Sequence, residues 1–278
     1  MTHETVPLYG GTLSRRVTIR DLRTAKERGE RWPMLTSYDM YTAEIFDAAG
    51  IPVLLVGDSA GNNVYAHPDT VPVTVEELVP LARAVVRSTS RALVVCDLPF
   101  GSYQLGPQQA LETSIRIMKE AGVQAVKLEG GLPVVESVRR IVEAGIPVMA
   151  HIGFTPQSVN ALGGYRVQGR GTDGARLVEA ALALEEAGAF AVVLEMVTAE
   201  VAAEVTKRLA IPTVGIGAGP DVDAQVLVWQ DMAGLRSGRM PKFVKQYGDL
   251  RGALVTATKA FADDVVTGVF PADEHTYH

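Results

Sequence analysis

One unit recurs along this chain and leaves few folds open to it. A short run rich in β-branched residues ends in a polar residue, and a helical pattern follows. The runs cover 34–36, 53–56, 93–96, 125–128, 147–150, 191–194 and 212–214. None alternates strictly between apolar and polar, which suits strands buried on both faces. Helical patterns lie near 39–49, 76–89, 107–121, 133–144, 173–187 and 199–209. Several close on an Ala-Gly pair, where glycine takes the left-handed conformation that ends a helix. Pro107 and Pro133 stand where a first helical turn accepts proline. Strand and helix alternating in this way predict a parallel sheet. At 278 residues, closure into an α/β, (β/α)8 TIM barrel of roughly 250 residues fits better than an open sheet.

The eighth strand is the weak point, because 226–229 reads as that strand or as the helix after strand seven. Residues 18–29 read as an N-terminal helix capping one end of the barrel, and 249–267 as a final helix. No linker or low-complexity segment interrupts 1–278, which reads as one domain. The stretch 153–173 lacks a periodic pattern, and loops that long are often functional. It reads as a lid over the barrel mouth or as a surface excursion.

Composition narrows the function class. Apolar residues make up 47% of the chain, enough for a large core and too many for a disordered one. The net charge of −6 comes without any Lys/Arg block, so no nucleic-acid footprint is expected. The longest uncharged stretch, near 146–165, is broken by Pro147, His151, Pro156, Asn160 and three glycines, so no membrane span is expected either. The single cysteine, Cys96, fits a reducing compartment, and the N-terminus carries no apolar leader pattern. A cytoplasmic location is the expectation.

In a parallel barrel the active site lies at the carboxyl ends of the strands. The runs end there in Asp58, Asp97, Glu129, His151 and Glu195. Strand parity puts Lys127 and Glu129 on one face, Met149 and His151 on one face, and Val193 and Glu195 on one face. Their apolar neighbours Val126, Leu128, Ala150 and Leu194 then pack toward the helices, as does Cys96. Asp58, Asp97 and Glu129 gathered without a cation would repel one another. A hard divalent ion such as Mg²⁺ resolves that with oxygen ligands. Lys127 would stand beside it, and Glu195 would be free to act as a base. In a rival reading, Lys127 is the nucleophile of a Schiff-base barrel aldolase that needs no metal. In another, the barrel is non-catalytic and binds a small anion.

Longer segments carry a resemblance. They are Met34 to Asp39, Val56-Gly57-Asp58-Ser59, Val71 to Thr74, Cys96 to Tyr103, Val126 to Gly131, His151 to Ser158, Leu162 to Arg170, Leu194-Glu195, Gly215 to Gly219 and the tail from Phe270. Together and in order they resemble the ketopantoate hydroxymethyltransferase family over nearly the whole chain. The resemblance implies a (β/α)8 barrel that moves a hydroxymethyl group from 5,10-methylenetetrahydrofolate to the 2-keto acid 3-methyl-2-oxobutanoate, giving 2-dehydropantoate. It implies Asp58 and Asp97 as Mg²⁺ ligands and Glu129 as a further acid at the metal, directly or through water. It implies that Asp58, Ser59, Asp97, Lys127 and His151 contact the keto acid, with Glu195 as the proton acceptor. A homo-oligomer, decameric in relatives, is implied too. Two departures lie near strand eight: Ala224 stands where glycine is expected, and Trp229-Gln230-Asp231 replaces a more usual Met-His-Asp. They leave the main acids intact.

Overall fold

A computed structural model describes residues 7–10 and 15–278. The seven runs become β1 (Trp32–Thr36), β2 (Val53–Val56), β3 (Leu93–Asp97), β4 (Ala125–Glu129), β5 (Val148–Gly153), β6 (Ala191–Glu195) and β7 (Thr213–Ile216). The ambiguous segment resolves into both alternatives in succession. Ala224–Leu227 is strand β8, and Trp229 already belongs to a helix. The eight strands pair in parallel in chain order and close into a barrel, with β8 against β1 from Trp32↔Ala224 to Leu35↔Leu227.

Helices α1 (Ile19–Glu27), α2 (Met40–Ala48), α3 (Ala60–Asn63), α4 (Val75–Arg87), α5 (Pro107–Ala121), α6 (Val135–Glu143), α7 (Val159–Leu162), α8 (Asp173–Glu186) and α9 (Ala199–Arg208) accompany the strands. Val228 ends the first of two compact units. The second, from Trp229, contains α10 (Trp229–Met232) and α11 (Leu250–Thr267). Local chemistry explains the boundaries. Thr74 and Glu77 form a capping box that starts α4. Pro107 opens α5, and Gly122, at φ 79°, closes it. Pro80 lies inside α4, where it removes a hydrogen bond, yet the helix runs through it. Leu78, Val79, Ala82 and Val85 on the buried face of α4 outweigh that loss.

The barrel interior is a packed core of alternate strand residues. Met34, Val53, Leu55, Leu93, Val95, Ala125, Met149, Ala191, Val193, Val214, Ala224 and Val226 form one buried cluster. Leu8, Val17, and Leu22 and Ala25 of α1 join it, which is the capping expected of an N-terminal helix. Val126, Leu128, Ala150, Leu194 and Cys96 are equally buried but stand outside that cluster, as parity requires. The inward rows of β3 to β6 then continue upward into Asp97, Lys127, Glu129, His151 and Glu195. Register sets Asp97 beside Lys127 and Glu129 beside His151. Among the described residues, no helix is long and apolar enough to cross a membrane.

Candidate active site

The barrel brings six of the seven predicted site residues together through direct contacts, and Ser59 follows Asp58 in the chain. Lys127 Nζ lies 2.7 Å from Asp97 Oδ1 and 4.0 Å from Glu129 Oε1. His151 bridges two acids, with Nδ1 3.3 Å from Glu129 Oε1 and Nε2 3.3 Å from Glu195 Oε2. The Asp58 main-chain N–H donates to Asp97 Oδ2 at 2.9 Å. Gly57 makes room for this: a Cβ there would sit 2.9 Å from Ser59 Oγ and 3.2 Å from Asp97 Oδ2. Ser59 Oγ also meets Tyr38 Oη at 2.8 Å.

Burial and mutual charge set the protonation of the cluster. Burial, with repulsion from Glu129 and Asp97, lifts Asp58 well above the usual carboxylate range, and Lys127 and Gln157 offset only part of that. Burial also raises Asp97, against the pull of Lys127. Glu129 goes the other way: burial would raise it, but His151, Lys127 and the Gln157 N–H hold it down. Burial and Lys127 would push His151 down, yet Glu129 and Glu195 lift it to about 9. As an imidazolium it donates from both ring nitrogens. Lys127 is raised, since Asp97, Glu129 and Asp58 overcome its desolvation. A Schiff-base nucleophile needs the opposite, a lysine driven neutral by its surroundings.

Glu195 is positioned by backbone geometry. Gly153, at φ +94°, passes so close that a Cβ would collide with the Glu195 carbonyl oxygen. Met196 takes a left-handed φ of 48°, rare for a residue with a side chain. Hydrogen bonds hold it there: its N–H donates to Ile216 O at 2.8 Å, and its carbonyl accepts from Gln168 N–H at 2.7 Å. Gln168 belongs to the long 153–173 stretch, which is less bare than its sequence suggests. It contains a 3-10 turn (Pro156–Ser158) and α7, and Gln168 pairs in parallel with Val197.

Sequence reasoning missed Gln157 and Tyr103. Gln157 Nε2 donates to Asp58 Oδ2 at 2.9 Å, and its main-chain N–H donates to Glu129 Oε2 at 3.0 Å. Tyr103 Oη lies 2.7 Å from Gln157 Oε1 and accepts the Glu129 N–H at 3.2 Å. Both follow strand ends within the quoted motifs, which is the one signal that could have found them. Of the two departures, Ala224 opens β8 at the end of the barrel away from the acids. Gln230 and Asp231 lie in α10, where Asp231 Oδ1 is 3.5 Å from Arg236.

The acids suit a hard divalent cation. The candidate ligands are all carboxylate oxygens, and Asp58, Asp97 and Glu129 are buried together with their mutual repulsion only partly offset by Lys127 and His151. No preformed cage of three or more His, Cys, Asp or Glu ligands converges among those residues. Mg²⁺ does not require one, since it commonly binds through one or two carboxylates plus water and substrate oxygens.

Residues 16–273 match the family described as ketopantoate hydroxymethyltransferase. A 3-methyl-2-oxobutanoate hydroxymethyltransferase from Streptomyces coelicolor is 65% identical, over 98% of this chain and 93% of that protein. One of the same name from Thermobifida fusca is 62% identical over 99% of each. Among solved structures, a phosphonopyruvate hydrolase complexed with oxalate and Mg²⁺ aligns with a TM-score of 0.59 at 16% identity, covering 94% of this chain and 91% of that one. A 2,3-dimethylmalate lyase of the PEP mutase/isocitrate lyase superfamily aligns at 0.56 and 18%, covering 93% and 91%. At those identities the structural likeness speaks for the fold.

Proposed function

The chain belongs to the ketopantoate hydroxymethyltransferase family, and from that premise we infer which residues carry each part of its reaction. It is an enzyme that transfers a hydroxymethyl group to 3-methyl-2-oxobutanoate, giving 2-dehydropantoate, the first step toward pantothenate. In our reading the one-carbon donor is 5,10-methylenetetrahydrofolate, and the enzyme is a cytoplasmic homo-oligomer, decameric as the family resemblance implies. The observation that carries the site assignment is the pairing of Glu195 with His151 beside the buried Asp97–Lys127 pair.

Asp58 and Asp97, with Glu129, would hold Mg²⁺. When bound, the ion supplies positive charge that polarises a carbonyl oxygen. Asp58, Ser59, Asp97, Lys127 and His151 line the keto-acid position. The Lys127 ammonium and the Ser59 hydroxyl hold the carboxylate end of the keto acid. Glu195 accepts the C3 proton, and the C3–H electron pair forms a C2–C3 double bond as the keto π pair moves onto its oxygen. C3 then bonds to the one-carbon unit as the keto group re-forms; the carbon–nitrogen bonds of that unit to the folate break, releasing tetrahydrofolate, and water supplies the hydroxyl oxygen. A base must lie within hydrogen-bond reach of its proton. His151 keeps Glu195 directed by facing its Oε2, while its other nitrogen faces Glu129.

The test isolates proton abstraction from transfer. Deuterium exchange at C3 of 3-methyl-2-oxobutanoate is followed by proton NMR, with and without Mg²⁺ and with and without tetrahydrofolate. Metal-dependent exchange is the expected result. Exchange that ignores the metal would remove Mg²⁺ from the reading. No exchange under any of these conditions would remove Glu195 as base for this substrate.

A further inference from the structure

We infer that Gln157 is a positioning residue that makes Asp58 and Glu129 present single oxygens to a divalent cation, and so favours Mg²⁺ over Ca²⁺. The inference rests on the reading of those acids as metal ligands. Gln157 lies in the 3-10 turn after β5 and is buried. Its Nε2 donates to Asp58 Oδ2 at 2.9 Å and to Leu98 O at 3.0 Å. Its Oε1 lies 2.7 Å from the Tyr103 hydroxyl and 3.3 Å from Gln104 Nε2. An amide offers two donors and two lone pairs, so this one is saturated. Its orientation is decided by the same partners. Flipped, its oxygen would face the Asp58 carboxylate and the Leu98 carbonyl, and its NH₂ would face the Gln104 donor.

The consequence lies on the carboxylates. Gln157 occupies one oxygen of Asp58 through its side chain and one of Glu129 through its main chain. The Asp58 N–H occupies one oxygen of Asp97. Each acid is thereby tied at one oxygen by an uncharged donor, while the other oxygens of Asp97 and Glu129 face cationic groups, Lys127 Nζ at 2.7 Å from Asp97 Oδ1 and His151 Nδ1 at 3.3 Å from Glu129 Oε1. A carboxylate tied at one oxygen is poorly placed to chelate with both. Ca²⁺ accepts bidentate carboxylates in a loose shell of six to eight oxygens, whereas Mg²⁺ demands a near-octahedral shell and keeps several waters. Single-oxygen presentation therefore suits the smaller ion.

The experiment reads metal binding without turnover. Mn²⁺ binding is measured by electron paramagnetic resonance on the full-length protein, with Mg²⁺ and Ca²⁺ as competitors, for the wild type and for Gln157→Leu. Outer partners of metal ligands typically change affinity by about 10- to 100-fold. In the variant, Mg²⁺ affinity is expected to fall by about that factor and Ca²⁺ affinity by much less. Unchanged affinities, or equal losses for both ions, would overturn the positioning role while leaving the metal reading intact. If the wild type binds no Mn²⁺, the metal reading itself fails and takes the inference with it. Should Gln157→Leu not fold, Tyr103→Phe decides, because it keeps the carboxamide but frees its oxygen. The same shift toward Ca²⁺ is expected, and an unchanged ratio overturns the proposal.

Discussion

Glu195 is the residue whose role is most exposed to test. It ends β6 and faces His151. Glu195→Gln keeps the size and loses the base. Its melting temperature should stay close to wild type, while kcat falls by about 10²- to 10⁴-fold, the usual worth of a positioned base. Near wild-type kcat would reassign the base. Gly153 gives a second test at this scale. Gly153→Ala sets a Cβ against the Glu195 carbonyl and forces a side chain into a φ near +94°. We expect a loss of at least about 1–3 kcal/mol in chemical denaturation, since strain of this kind costs that much before any clash is counted. Turnover should fall as well, and an unchanged stability would mean that β5 and β6 tolerate separation at this point. The inward residues Lys127, Glu129, His151 and Glu195 were legible because a period of two fixes which way each points once its neighbours are apolar. Gln157 and Tyr103 were not, because no periodicity governs side chains that reach the site from turns.

Elements were legible where their apolar rows were long. The seven repeated runs became strands, whereas β8 was ambiguous because Gln225 interrupts its apolar residues and a helix follows within two residues of its end. Asp47 shows how tertiary partners override a local rule. An acid in the last turn of α2 opposes the helix dipole. It is retained there because its carboxylate accepts the main-chain N–H groups of Ser90, Arg91 and Ala92, fastening the turn between α4 and β3. Partial burial would raise Asp47, but those three amides hold it below its ordinary value. A carboxyl depressed in the folded state stabilises above its unfolded pKa of about 3.9 and loses that contribution as pH falls through the folded value. Asp47→Asn should therefore cost about 1–2 kcal/mol at neutral pH, a partly exposed position keeping the figure modest. The gap between wild type and variant in urea titrations should narrow from about pH 4 downward. A gap independent of pH would mean that the charge contributes nothing.

At the scale of the whole molecule, α11 poses the question that a barrel alone does not answer. It has no buried residue along its 18 positions. Leu250, Leu254, Phe261 and Val265 are exposed and fall on one stripe at helical spacing, and Val255 and Val266 widen it. A helix this apolar is stable in water when something covers it, and contiguous exposed apolar surface of this kind marks an interaction face. Another copy of the chain is the occupant that accords with the homo-oligomer proposed for this enzyme. Light scattering coupled to gel filtration should give a mass several times that of one chain. Leu254→Glu combined with Phe261→Glu places two like charges on the stripe, where burying either without a partner would be costly. The doubly substituted protein should run as a smaller species, while its far-ultraviolet circular dichroism stays that of an α/β barrel. A wild-type protein that runs as a single chain would mean that α11 meets water as it stands. A variant that assembles as before would mean that the oligomer forms through another surface.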